Sequence, residues 1–257
     1  MKIPLSFTVY FQELLRESYC CLPKEDIEKI FPQYCWRSIQ NIANELGIKR
    51  IFQQKRNGDI GILLNKSNES FYWIGMIAAD GTVSRDGTLK LDLRISEKYH
   101  IEKLAKFINS KVYEYPKYKN SKPGGTGICR VKIKDIIKGV ELRELFKIKG
   151  CKTYEPISLD FIETDSQFLS FLAGYIDGDG SISKQGYISI DGHKNMSELF
   201  TKFANRLNTM YSEGEHKILY YEDMVRLNLK SFYSKRIKKD LGFLGLPLMI
   251  RKWDRIT

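Results

Sequence analysis

Twice along the chain the spacing of apolar positions changes from helical to alternating. Residues 73–81 read WIGMIAADG and residues 172–180 read LAGYIDGDG, and each is apolar or small almost throughout, as the end of a buried helix would be. Local chemistry starts both helices. Asn68 and Glu69 supply an N-cap and a first-turn acid for the first, and Thr164 with Gln167 has capping-box spacing before the second. Beyond each segment the period falls to 2. Leu89, Leu91, Leu93 and Ile95 alternate with Lys90, Asp92, Arg94 and Ser96; Val131 and Ile133 flank Lys132, between Arg130 and Lys134; Val225, Leu227 and Leu229 alternate with Arg226, Asn228 and Lys230. These are half-buried antiparallel strands with polar outer faces. Helical stretches follow at 101–109 and 196–207, and aligning Leu104 with Leu199 sets Leu93 and Ile95 opposite Ile188 and Ile190 without a gap.

The chain is therefore an internal repeat, its second segment starting 99 residues after the first. Each half reads helix, strand pair, helix, strand pair, helix. The expected fold is mixed α/β, with two pseudo-symmetric halves at 69–150 and 166–257 and a connector at 151–165. Gly75, Ala78 and Ala79 in one segment, and Ala173, Gly174 and Gly178 in the other, are small enough for the two helices to pack closely with converging C-termini. Such ends carry unpaired carbonyls and partial negative charge. Asp80 and Asp179 add a carboxylate at each, which makes an oxygen-rich site suited to a hard divalent cation, with magnesium the natural choice. Gly81 and Gly180 are expected to end each helix through a left-handed turn. Asp177 has Ala78 as its counterpart, so it is assigned a capping or polar structural role.

Residues 1–50 read as three helices, at 7–17, 24–31 and 36–46, and residues 51–68 as a linker or hairpin. In the third helix Trp36, Ile39, Ala43 and Leu46 share one face, leaving Arg37, Gln40, Asn41 and Asn44 on the other. That pattern is similar to the recognition helix of helix-turn-helix modules, so these four residues are expected to reach base edges in the DNA major groove; an ordinary helical bundle presents the same face.

Charge narrows the partner. Lys and Arg total 42 against 31 acids, a formal +11 spread along all 257 residues, which points to a polyanion. No apolar run is long enough to span a membrane and the N-terminus lacks a signal-peptide pattern, so a soluble intracellular protein is expected. Five cysteines without zinc-ligand spacing and three scattered histidines leave the carboxylates to carry any catalytic chemistry.

Leu172, Ala173, Gly174, Ile176, Asp177, Asp179 and Gly180, together with Gly75, Ile77, Ala79, Asp80 and Gly81, resemble the two copies of the motif that names the LAGLIDADG homing endonucleases. The resemblance covers roughly residues 65–257 and is of the single-chain, two-motif type. It implies saddle-shaped antiparallel sheets and site-specific double-strand DNA cleavage by a monomer on a long, pseudo-symmetric duplex. It also implies metal ligation by Asp80 and Asp179, with the carbonyls of Ala79 and Gly178 as supplementary ligands, and basic residues near the cleavage centre. Those map to Lys149 in the first half and to Arg251 or Lys252 in the second. Glu97 falls where the family often positions water, although its counterpart is taken as Gly192. On the polar strand faces the expected DNA readers are Lys90, Arg94, Arg130, Lys132, Lys134, Arg226, Asn228 and Lys230, with Ser189 and Asp191 on the same face, and the basic loop at 117–127 is expected to embrace the backbone. The rival reading is a non-cleaving nucleic-acid binder, an intron RNA maturase or a transcription regulator, on the same fold.

Overall fold

The computed structural model describes residues 9–22, 24–50, 57–116, 127–148, 157–212 and 218–257. The chain forms two compact units, Met1–Arg56 and Asn57–Thr257. The first holds α1 (Val9–Cys21), α2 (Lys24–Ile30) and α3 (Trp36–Glu45) around its own small core of Leu15, Tyr19, Ile27, Phe31, Ile39, Ile42 and Ala43. Arg50 lies over the Trp36 ring, 4.8 Å from its centre, and donates to the Leu22 carbonyl at 3.0 Å, tying the stretch after α3 to the start of α3 and the end of α1. On α3, Arg37 and Asn44 are exposed and Gln40 and Asn41 half-buried.

The second unit opens with a 3-10 helix, Ile60–Asn65, within the stretch expected to be linker or hairpin. Ile60 and Leu63 are fully buried in the main core, so the structural unit begins well before the first motif helix. Ser67, not Asn68, caps α4 (Asn68–Ala79), its side chain accepting from the Ser70 N–H. The chain continues through β1 (Thr82–Val83), β2 (Thr88–Arg94), α5 (Lys98–Phe107), β3 (Val112–Tyr115), β4 (Ile128–Lys134) and α6 (Ile136–Leu145). The second half repeats this order as α7 (Asp165–Asp179), β5 (Gly180–Ile182), β6 (Ile188–His193), α8 (Ser197–Met210), β7 (Ile218–Tyr220), β8 (Met224–Leu229) and α9 (Ser231–Gly242), followed by a short α10 (Ile250–Trp253). The capping box before α7 is complete: Thr164 accepts from the Gln167 N–H and Gln167 accepts from the Thr164 N–H, each at 3.2 Å.

Each half folds into a four-stranded antiparallel sheet, ordered β1-β2-β4-β3 and β5-β6-β8-β7. Equivalent pairs confirm the repeat: Thr82 faces Lys90 in one sheet, and Ser181 faces Ser189 in the other. Their spacing corrects the alignment drawn from hydrophobic pattern. A constant offset of 99 carries Thr82 to Ser181, Asp92 to Asp191 and the start of α5 at Lys98 to the start of α8 at Ser197. Leu104 therefore matches Phe203 and Glu97 matches Met196, four residues from the counterparts expected. A slip of four keeps strand alternation intact and is close to one helical turn, so apolar pattern alone does not resist it.

Inner strand positions Leu89, Leu91, Leu93, Ile188, Ile190, Leu227 and Leu229 are buried against the helices. Each such side chain contributes on the order of 2 kcal/mol. Almost every residue of α4 and of α7 from Phe168 to Asp177 is buried, so this helix pair is the centre of the unit and not an amphipathic edge. No helix among the described residues is long and apolar enough to cross a membrane.

Candidate active site and nucleic-acid face

The two motif helices touch backbone to backbone through matched glycines. A Cβ on Gly75 would stand 2.0 Å from the Phe171 carbonyl oxygen, and one on Gly174 would stand 1.8 Å from that of Tyr72. Phe171 is the repeat equivalent of Tyr72, so the contact is reciprocal and defines a local pseudo-twofold relation. Nearer the ends, a Cβ on Gly178 would meet the Ala79 Cβ at 2.4 Å and lie 3.5 Å from Asp80 Oδ2. The carboxylate closing one helix thus lies beside the last turn of the other. Asp80 is the exposed C-cap of α4 and Asp179 the exposed last residue of α7. Beneath them the buried Tyr175 hydroxyl is held protonated far above its ordinary range, first by burial and then by the charges of Asp179 and Asp80.

The turn after each aspartate is not left-handed. Gly180 has φ −81° and ψ 160°, ordinary extended backbone, and Gly81 is not among the residues with positive φ. Both are glycine for space: a Cβ there would come within 2.7–2.8 Å of the Cα of Ile176 or Ile77. The strand leaves the helix so abruptly that it folds back on the preceding turn.

Lys252 is 7% exposed, and its ammonium is enclosed by the end of α7. It donates to the carbonyls of Asp177 and Gly180 at 2.7 Å each, of Ile176 at 2.9 Å and, most weakly, of Gly178 at 3.3 Å. Burial lowers its pKa, with Asp177 the first opposing influence. A cation seated on helix-end carbonyls offsets the partial negative charge that gathers there. It also shares the Gly178 carbonyl expected to serve a metal. Replacing Lys252 by Met should leave buried carbonyls without a donor and lower unfolding free energy by about 3 kcal/mol; urea denaturation measures this, and an unchanged midpoint would contradict the capping role. Arg251 instead pairs with the buried Glu97 of the first half. Lys149 lies outside the described residues, as does all of the basic loop at 117–127 except Gly127.

Asp177, 2% exposed, accepts from the Tyr72 hydroxyl at 2.6 Å, the Trp253 indole N–H at 2.8 Å and the Met249 backbone N–H at 2.9 Å. Burial still raises its carboxyl to about 6. The Tyr72 hydroxyl also contacts His100 Nε2 at 2.9 Å, and burial lowers that imidazole to about 3. This network joins α4 and α5 of the first half to α7 and the C-terminal segment. It matches the structural role expected for Asp177, but His100, Tyr72 and Trp253 were not foreseen; a polar residue at a position of near-total apolar character was the available signal.

The polar strand residues line one face of each sheet. Lys90, Arg130, Ser189, Arg226 and Asn228 are half-buried there, and Arg94, Lys132, Lys134, Asp191 and Lys230 are exposed. Lys90 stands directly across from Lys132, and like charges so placed destabilise a sheet by a few tenths of a kcal/mol unless an anion covers them. Asp92 relieves this partly, 3.2 Å from Lys90 and 2.6 Å from Arg130. In the second sheet Ser189 donates to Asn228 at 2.7 Å, so the two faces differ in charge and chemistry at equivalent places.

Among the described residues no three His, Cys, Asp or Glu side chains gather to hold an ion by themselves. A cation at the helix ends would use the two carboxylates with backbone carbonyls, water or a phosphate, which suits magnesium. Asp80 beside the last turn of α7, which Asp179 closes, fits such an ion.

No family model and no curated protein matches the chain. Among solved structures it is similar to I-DmoI in complex with DNA and Ca, at 14% identity and TM-score 0.48, over 73% of this chain and 96% of that one. It is also similar to the I-SmaMI LAGLIDADG homing endonuclease bound to cleaved DNA, at 13% identity and TM-score 0.46, over 79% and 88%. A third is the I-LtrWI LAGLIDADG homing endonuclease bound to target DNA, at 13% identity and TM-score 0.44, over 74% and 86%. All three likenesses are weak in identity and in superposition, and the chemistry assigned below rests on this chain's own residues.

Proposed function

We propose that the chain is a site-specific double-strand DNA endonuclease that works inside the cell as a monomer on a long, imperfectly symmetric duplex. The observation that supports this most is the pair of helices in backbone contact whose ends bring Asp80 beside Gly178, the residue before Asp179, flanked by two sheets whose polar faces carry lysine and arginine. Asp80 and Asp179 hold divalent metal, magnesium in the natural setting, with the carbonyls of Ala79 and Gly178 as further ligands. Bound magnesium would neutralise the phosphoryl oxygens and activate water for in-line attack. Lys149 supplies positive charge near the scissile phosphate. We assign Lys252 to positioning: its ammonium holds the end of α7 so that Asp179 is presented at a fixed angle. The joined halves complete one site, which makes a second protein unnecessary.

Incubation with a randomised duplex library, with magnesium and with EDTA, tests the reading. Magnesium-dependent double-strand cuts at one recurrent sequence are expected. Sequence-selective binding with no cutting under any divalent ion would overturn the nuclease and favour the non-cleaving binder.

The first unit adds affinity by presenting Arg37, Gln40, Asn41 and Asn44 to the duplex. Because Ile60 and Leu63 belong to the main core, a deletion that tests this should stop at Arg56. A chain beginning at Asn57 should still cut, with weaker binding and a shorter footprint at the same salt. Equal affinity and equal protection would assign the unit to another role.

A further inference from the structure

Two arginines at matched places in the repeat are held in the same way. Arg130 donates from Nε to Asp92 Oδ1 at 2.6 Å and from Nη2 to Oδ2 at 2.7 Å. Arg226 donates from Nε to Asp191 Oδ1 at 2.5 Å and from Nη2 to Oδ2 at 3.1 Å. Asp92 and Asp191 are repeat equivalents, and each faces its arginine directly across two neighbouring strands. A tyrosine completes each set: Arg130 lies over the Tyr115 ring at 4.9 Å and Arg226 over the Tyr221 ring at 5.7 Å. Side-on pairing and stacking together fix the plane of a guanidinium that would otherwise sample many rotamers.

We propose that Arg130 and Arg226 read guanine at two pseudo-symmetric positions of the duplex, one in each half-site, and that Asp92 and Asp191 are the positioning residues that aim them. The proposal rests on the DNA-binding reading above and adds the base it selects. A phosphate contact draws on net charge, and a carboxylate beside the arginine removes most of it. What remains is direction. The carboxylate occupies the Nε edge of each guanidinium, so the remaining donors lie on the Nη1 and Nη2 side, which matches the O6 and N7 acceptors of guanine in the major groove. Lys132, exposed and with a lysine across from it, makes the contrasting phosphate contact.

Selection of bound duplexes from a randomised library in EDTA, with the full-length protein, separates base reading from cleavage. Guanine should recur at two positions related by the site's pseudo-symmetry. Arg130→Ala and Arg130→Lys should each reduce the preference about 10-fold or more at one of them, and Arg226→Ala and Arg226→Lys at the other. Asp92→Ala and Asp191→Ala should relax the same positions as their arginines. Lys132→Ala should instead weaken all sequences alike and reduce the slope of log affinity against log salt by about 0.9. The proposal is overturned if Arg130→Lys keeps the preference, since charge without the fork would then suffice, or if the aspartate variants only tighten binding. Selective binding without paired guanines overturns the base assignment alone; no sequence selection at all overturns the proposed function with it.

Discussion

Asp80→Asn and Asp179→Asn should each lower the rate of double-strand cleavage at least about 1,000-fold while leaving duplex binding intact or slightly tighter. Losing a carboxylate from a metal site removes several kcal/mol of transition-state charge stabilisation, and about 4 kcal/mol corresponds to that factor. Folding should be unaffected, because both side chains are exposed at helix ends and neither joins the core. Binding should survive because the polar sheet faces carrying Lys132, Lys134 and Lys230 are untouched, and removing a negative charge beside a phosphate does not oppose association. The measurement is a single-turnover rate in magnesium beside an equilibrium titration in EDTA. Full cleavage by either variant would remove that aspartate from the site; loss of binding in step with cleavage would make it an anchor for DNA and not for metal.

The elements that sequence foretold were those whose signal is local. The Thr164 and Gln167 capping box and the alternation along Leu89 to Leu93 each act within a few positions of themselves, and each stands as expected. What escaped was set by approach between distant segments. Gly180 looked like a left-handed cap because glycine permits one, whereas its actual constraint is the Ile176 backbone 2.7 Å from the place of a Cβ. Lys252 looked like a surface base near a cleavage centre; only the packing of α10 against the end of α7 turns it into a buried cap. The repeat register was misjudged by four residues because the two apolar periods tolerate that slip, and hydrogen-bonded strand pairs do not. Asp92 and Asp191 were read as a neighbour and a reader, since nothing in a linear pattern reveals which carboxylate faces which arginine across a sheet.

Among the described glycines, Gly174→Ala should be the most destabilising added methyl, with Gly75→Ala close behind. Alanine ordinarily favours a helix over glycine by up to about 1 kcal/mol, so propensity alone predicts a gain. Here the added carbon would lie 1.8 Å from the Tyr72 carbonyl oxygen and 2.9 Å from the Met76 nitrogen, both backbone atoms of the facing helix, which has no rotamer to change. Relief requires moving α4 away from α7 along their whole contact, opening space around buried Phe71, Phe171 and Tyr72. Overpacking typically costs 1–3 kcal/mol, and a clash with the backbone of the facing helix belongs at or beyond the top of that range, about 3 kcal/mol or more. The same separation draws Asp80 away from Gly178, so cleavage in whatever fraction still folds should fall further than the folded fraction does. Urea midpoints paired with single-turnover rates, normalised to folded protein, test both parts. A Gly174→Ala variant as stable as the parent would show that the helices have room between them, and the approach of Asp80 to Gly178 would then need another cause.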